Sequence, residues 1–204
     1  MASFPWGMLL TIPVAWFLFL NKGRFLAATC HFKRHGLLWF LFLMLLGGFF
    51  NLTTGQGYFN LGGIMALVLG GRLFFYSTNA QRLRIGLAAL AIAVFIYCFE
   101  TGVFWWLIRW PVASAWLLPL ISVLLALSIA GGLRQAWAGL IIGLVAGQAI
   151  ASLTVSYGIY FEVGSFAVLN SLFIMMAGAA LLDWLMRGIK LRPEQLASPT
   201  LRSR

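Results

Sequence analysis

Acidic residues are nearly missing from this chain. Only four of its 204 residues are Asp or Glu, against 14 Lys or Arg, and charged residues make up 9% of the whole. A soluble domain carries roughly 25% charged residues, so a well-solvated globular surface is excluded. Cysteine is almost as scarce. Cys30 lies in a basic stretch and Cys98 inside an apolar run, and the expected topology sets the two far apart, which excludes a disulfide framework. Also missing are a Ser-His-Asp order, a His-Glu-x-x-His pair, a phosphate loop and a nucleotide-binding glycine fingerprint. No polar stretch is long enough for a second folded domain. The first apolar run has no basic residue before it and is followed by Lys22 and Arg24, the wrong polarity for a secretory signal. Leu26–Cys30 has the outline of a lipoprotein cleavage site. Thr29 is a poor residue before the cysteine, however, and two charges break the apolar run upstream.

What is present is apolar: 62% of the residues, with a mean hydropathy of +0.97. These values predict an all-α integral membrane bundle whose main partner is the lipid bilayer. The bundle takes in residues 1–186, and a basic tail, 187–204, is expected to be disordered. A net charge of +10 raises the question of nucleic acid. The basic residues lie between apolar runs and in the tail, where topology signals sit, so no nucleic-acid partner is expected.

Seven apolar segments can be traced. The first, 4–20, contains Pro13, and the second is a short run at 37–52. Asn51–Gly57 reads as a polar, uncharged turn, and its Asn-Leu-Thr is a glycosylation tripeptide common by chance. The third segment, 58–77, carries Gly62-Gly63 and Gly70-Gly71, with Arg72 snorkelling to the interface. A loop at 78–84 precedes the fourth, 85–107, which ends in the interfacial pair Trp105-Trp106. The fifth, 112–130, contains Pro119; the sixth is 136–160 and the seventh 166–186. Seven crossings collect thirteen of the 14 basic residues on one side and leave only Arg109 on the other. Positive residues are retained inside, so the N-terminus is expected outside and the C-terminus in the cytoplasm. The glycine doublets do not recur at matching places in two halves, which argues against an inverted repeat.

The sixth segment organises the rest. Gly139, Gly143 and Gly147 recur every four residues, along one side of a helix, and Ala151 continues the row. Such a row lets a second backbone approach closely. Gln148, Ser152 and Ser156 form the adjacent stripe, about 100° further round. This stripe serves either as hydrogen-bonding glue or as one wall of a polar cavity. Asp183 is placed to pair with Arg187 one turn on, and Glu194 lies in the tail. Glu100 and Glu162 fall toward the outer ends of their segments, as do Arg109 and Asn170. A carboxylate at the centre of a membrane helix costs about 2.5–3.5 kcal/mol, and less near the interface. Glu100 is the best single functional candidate, with Arg109 as a partner; the plain alternative is an interfacial ion pair. In Cys30-His31-Phe-Lys-Arg-His35, two histidines one helical turn apart suggest a metal, but the flanking positive charge opposes one. The stretch reads as a basic patch against anionic lipid, and no metal or cofactor is expected. Met175-Met176 reads as packing.

Phe99-Glu100, Gly143-Leu-Val-Ala-Gly147-Gln148 and the run Val163-Gly164-Ser165-Phe166-Ala-Val-Leu-Asn170 resemble the YphA-like family, small membrane proteins of spore-forming Gram-positive bacteria. The early Asn21-Lys22-x-Arg24 is similar too. The resemblance is diffuse and spans most of the chain. It implies a multi-pass protein of the bacterial plasma membrane and no particular activity. The family often has an acidic residue where this chain has Gln148 or Asn170, and the departures argue against a charged mechanism at those two places.

Dense packing motifs and sparse chemistry favour a non-enzymatic membrane protein that assists or assembles with a membrane partner. The alternative is a small transporter with a polar path near Gln148, Ser152 and Glu100. A weaker third reading is an intramembrane enzyme using Glu100 or Glu162 as general acid or base.

Overall fold

The computed structural model describes residues 34–103, 111–155 and 161–196. Within them lie six helices and three short strands. In chain order these are α1 (Arg34–Gly47), β1 (Asn51–Thr54), β2 (Gly57–Asn60), α2 (Leu61–Phe75), α3 (Asn79–Glu100), α4 (Pro111–Ala130), α5 (Leu133–Val155), β3 (Phe161–Val163) and α6 (Phe166–Leu196). Three helical stretches are long and apolar enough to cross a membrane: α3, α5 and residues Ala167–Met186 of α6. Gly36–Gly47, Leu61–Phe75 and Leu117–Ala130 are apolar but shorter. The first expected segment, 4–20, lies outside the described residues, as do Cys30, His31, Trp105, Trp106, Arg109 and Ser156.

α5 is the central helix, packing on α2, α3, α4 and α6. Half of its most apolar window is buried, against 33% for α3 and 39% for α6. The core is formed by Leu69 and Leu73 of α2, Ile85, Ile92 and Ile96 of α3, and Leu140, Ile141 and Leu144 of α5, together with Leu169, Leu172 and Met175 of α6. Met176 is buried too. The outward faces are equally apolar: Trp39, Phe42, Val68, Leu87, Leu90, Leu120, Leu124, Ile150 and Trp184 are all exposed. An apolar surface on every helix is far more than a soluble monomer presents.

The most extensive helix pairing among the described residues is α3 with α5. A Cβ on Gly143 would stand 2.7 Å from the Ala89 carbonyl oxygen and 2.8 Å from the Ile92 Cβ. One turn on, a Cβ on Gly147 would stand 2.8 Å from both the Ala93 oxygen and the Ile96 Cβ. At Gly139 the nearest atom is the Ala88 Cβ, at 3.0 Å. The glycine row of α5 thus runs along Ala88, Ala89 and Ala93 of α3, and the backbones meet where neither helix has a bulky side chain.

Several boundaries differ from the sequence reading. Asn51–Gly57 is not a simple turn. It opens a hairpin in which β1 pairs antiparallel with β2, and β2 pairs parallel with β3 from the far end of the chain. Tyr58–Asn60 are therefore strand, and α2 starts at Leu61. The stretch 78–84 is the first turn and more of α3, because Thr78 and Gln81 form a capping box, the Thr78 amide donating to Gln81 Oε1 at 3.0 Å. α3 ends at Glu100, with Gly102 in the left-handed region at φ +79°. α6 continues ten residues past Met186 to Leu196, so the first part of the basic tail is helical. Arg187, Lys190, Leu191 and Arg192 are good helix formers, and a helix need not stop where its apolar residues do.

The two ends of the bundle differ in charge. One end holds Arg72 and Arg82 near the α2–α3 turn, and Arg84 and Arg134 near the α4–α5 turn. Arg82 donates to the carbonyl oxygen of Phe75 at 2.8 Å, capping α2 with a cation at its negative end. Arg134 donates to Gln81 Oε1 at 3.1 Å, joining α5 to the start of α3. Arg72 stacks its guanidinium 5.0 Å from the centre of the Tyr76 ring. The opposite end carries the three-stranded sheet, Glu100 and Glu162.

Candidate functional site

At the sheet end, α3, α4, α5 and α6 enclose a cleft of about 470 Å³. Its lining includes Glu100, Gln148, Glu162, Ser165 and Ser171 among apolar walls that include Ile96, Phe99, Leu118 and Leu144. The volume falls in the range of small-molecule sites, roughly 300–1,000 Å³. Glu100 is exposed at the last residue of α3, and Ile96 lies one turn deeper, fully buried. Leu144 bears the same relation to Gln148 on α5. Carboxylates therefore stand at the mouth, and the walls become apolar inward.

Glu162 owes its place to two distant parts of the chain. It lies on β3, opposite Tyr58 of the hairpin. Its backbone amide donates to the Ser152 hydroxyl at 2.9 Å, and that hydroxyl donates in turn to the Ala149 carbonyl at 2.9 Å. Just beyond, the chain turns into α6 through Gly164, at φ +68°. Gln148 holds this turn with both ends of its amide. Its Oε1 accepts from the Gly164 amide at 3.2 Å, and its Nε2 donates to the Ser165 hydroxyl at 3.0 Å. The Ser165 hydroxyl accepts from the Val168 amide at 3.4 Å, an N-cap for α6.

A glycine junction fixes the turn from the other side. A Cβ on Gly63 would stand 2.5 Å from the Gly164 Cα, so α2 and the start of α6 touch backbone to backbone. Asn60 supports α2 here. Fully buried, it accepts from the Gly63 amide at 3.2 Å and donates to the Gly48 carbonyl and to Asn51 Oδ1, both at 2.8 Å. The hairpin is thereby tied to the end of α1 and the start of α2.

The structure brings Glu100, Gln148 and Glu162 into one cleft. Ser152 supports Glu162 through the backbone and does not line the cleft. Asn170 is buried in α6, next to the lining residue Ser171. Gly139, Gly143 and Gly147 serve the α3 contact instead. Arg109 lies outside the described residues, and no Lys or Arg lines the cleft among those described. The described residues hold no cluster of three His, Cys, Asp or Glu side chains, and Cys30 and His31 fall outside them.

Sequence reasoning missed the roles of Ser165, Asn60 and Ser171. A Ser or Asn just before an apolar helical run is an N-cap signal, and it marks both Ser165 and Asn60. Ser171 has no comparable signal, since a lone Ser in an apolar helix is common. No family model, no curated protein and no solved structure matches this chain.

Proposed function

We propose that the chain is a non-enzymatic, multi-pass protein of a bacterial plasma membrane that takes up a small solute in the cleft at its sheet end, as a transporter or permease does. The finer topology belongs to the same proposal: seven crossings, with the N-terminus outside and the C-terminus in the cytoplasm. The segregation of Arg72, Arg82, Arg84 and Arg134 at one end supports this orientation, because basic residues resist transfer across the membrane. Membership of the YphA-like family is proposed on the resemblance alone.

The observation that carries the solute reading is that Glu100, Gln148 and Glu162 line a single cleft. The rival reading, an accessory or assembly partner, rests on dense packing motifs and sparse chemistry, and it calls for no polar cavity. The glycine row packed against α3 is compatible with either reading, so the cleft is what favours the solute. An intramembrane enzyme using the two carboxylates as acid and base needs the same cleft, and differs in consuming what it binds.

Native mass spectrometry of the protein extracted from its own membrane in mild detergent tests the proposal. A small molecule retained unchanged, and lost from Glu162→Gln, supports it. A stoichiometric protein partner with no retained small molecule overturns it in favour of the assembly reading.

A further inference from the structure

We infer that the cleft selects organic cations with an apolar body, the charged head at the mouth and the body inserted between α3, α4 and α5. The inference rests on the solute reading above and adds the chemical class.

Three features point to it. The first is the lining itself: two carboxylates with no Lys or Arg among the described lining residues, so a cation is the charge that the mouth attracts. The second is the gradient with depth. Ile96, Leu118 and Leu144 are buried below the mouth, and Phe99 lines the cleft together with Glu100. A hydrated inorganic ion has no use for a cleft of about 470 Å³ with such walls, whereas an ammonium on an apolar body matches both zones. The third is Ser122, which is 0% exposed and whose hydroxyl has no partner among the described residues. It lies three and four residues beyond Pro119 and Leu118, on the same face of α4, and these two line the cleft. Ser122 does not itself line the cleft but lies one turn of α4 below residues that do, and a buried hydroxyl lacking a partner is a group that a polar atom of a deeply inserted ligand would satisfy. An aminolipid headgroup and a free organic amine share this chemistry.

The test uses the full chain in nonionic detergent and calorimetric titration with three probes of similar shape: benzyltrimethylammonium, its uncharged carbon isostere neopentylbenzene, and the anion benzoate. The expected result is that the cation binds about tenfold or more tightly than either of the others, and that Glu100→Gln and Glu162→Gln remove the preference. The three-probe comparison on the unaltered chain stands even if a variant fails to fold. Equal or tighter binding of the neutral or anionic probe overturns the cation class and leaves the solute reading in place. No binding by any of the three also overturns the class, while the solute reading is judged separately by the molecule retained in native extraction. Repeating the titration in nanodiscs with and without phosphatidylethanolamine separates the sources. Competition by that lipid supports a headgroup as the ligand, and its absence supports a free cation.

Discussion

The Cα of Gly143 faces the carbonyl oxygen of Ala89 so closely that a single added carbon would stand 2.7 Å away. A side chain cannot be inserted there without separating α5 from α3, the most extensively packed helix pair among the described residues. Gly143→Leu is therefore expected to cost about 1–3 kcal/mol or more through overpacking. Thermal unfolding in detergent measures it. Gly86, with nothing within 4 Å of an added Cβ, is the control: Gly86→Ala should leave Tm unchanged or raise it. If Gly143→Leu unfolds like the parent, close α3–α5 packing is wrong.

Gly164 combines a left-handed backbone, φ +68°, with backbone contact to Gly63. Gly164→Ala should cost about 1–2 kcal/mol from the conformation alone, before any clash. The loss should appear as faster amide exchange in β3 and the first turn of α6, with the basic end of α3 unaffected. Uniform exchange across the chain would mean that the turn is not a local fixture.

Asn60 makes three hydrogen bonds from a fully buried site. Asn60→Ala leaves the Gly48 carbonyl and the Gly63 amide short of partners, at a cost of about 1–3 kcal/mol. Amide exchange of Gly63 should accelerate, and the hairpin should lose protection with it. Unchanged protection at Gly63 would contradict the N-cap.

Gln148 clamps the Gly164–Ser165 turn through both its amide atoms. Gln148→Leu should release the turn, and with it Glu162, whereas Gln148→Glu keeps an acceptor for the Gly164 amide. Exchange rates over 161–168 should therefore rise in the first variant and stay near the parent in the second. A comparable rise in both variants would show that the clamp depends on the donated bond to Ser165, and no rise in the Leu variant would show that there is no clamp.

The helical parts of this fold were legible because their signals are local. A glycine row at four-residue spacing is read within nine residues, and Gly139, Gly143 and Gly147 lie on one helix face as that spacing demands. The apolar runs likewise fall within about a turn or two of the observed α4 and α5. The sheet was not legible. Tyr58 pairs with Glu162 across a hundred residues, and nothing in either stretch names the other. Apolar Tyr58 and Phe59 read as the start of a helix because a short apolar run does not reveal its period. The polar stretch from Thr78 read as loop although Gln81 completes a capping box, a case where composition hid a cap. Of the candidate residues, Glu100, Glu162 and Gln148 were each identifiable as polar groups in an apolar setting. That they share a cleft depends on β2–β3 pairing and on α6 packing against α4, both non-local.

The sharpest test is of orientation. On a background with Cys30 and Cys98 changed to Ala, single cysteines are placed at two exposed positions, Thr53→Cys in the hairpin and Ala80→Cys at the start of α3. Both are challenged in intact cells with a membrane-impermeant maleimide. Labelling at position 53 before lysis, and at position 80 only after it, is the expected result. Labelling of both in intact cells, or of position 80 alone, would contradict a cleft that opens outward from a membrane with its basic end in the cytoplasm.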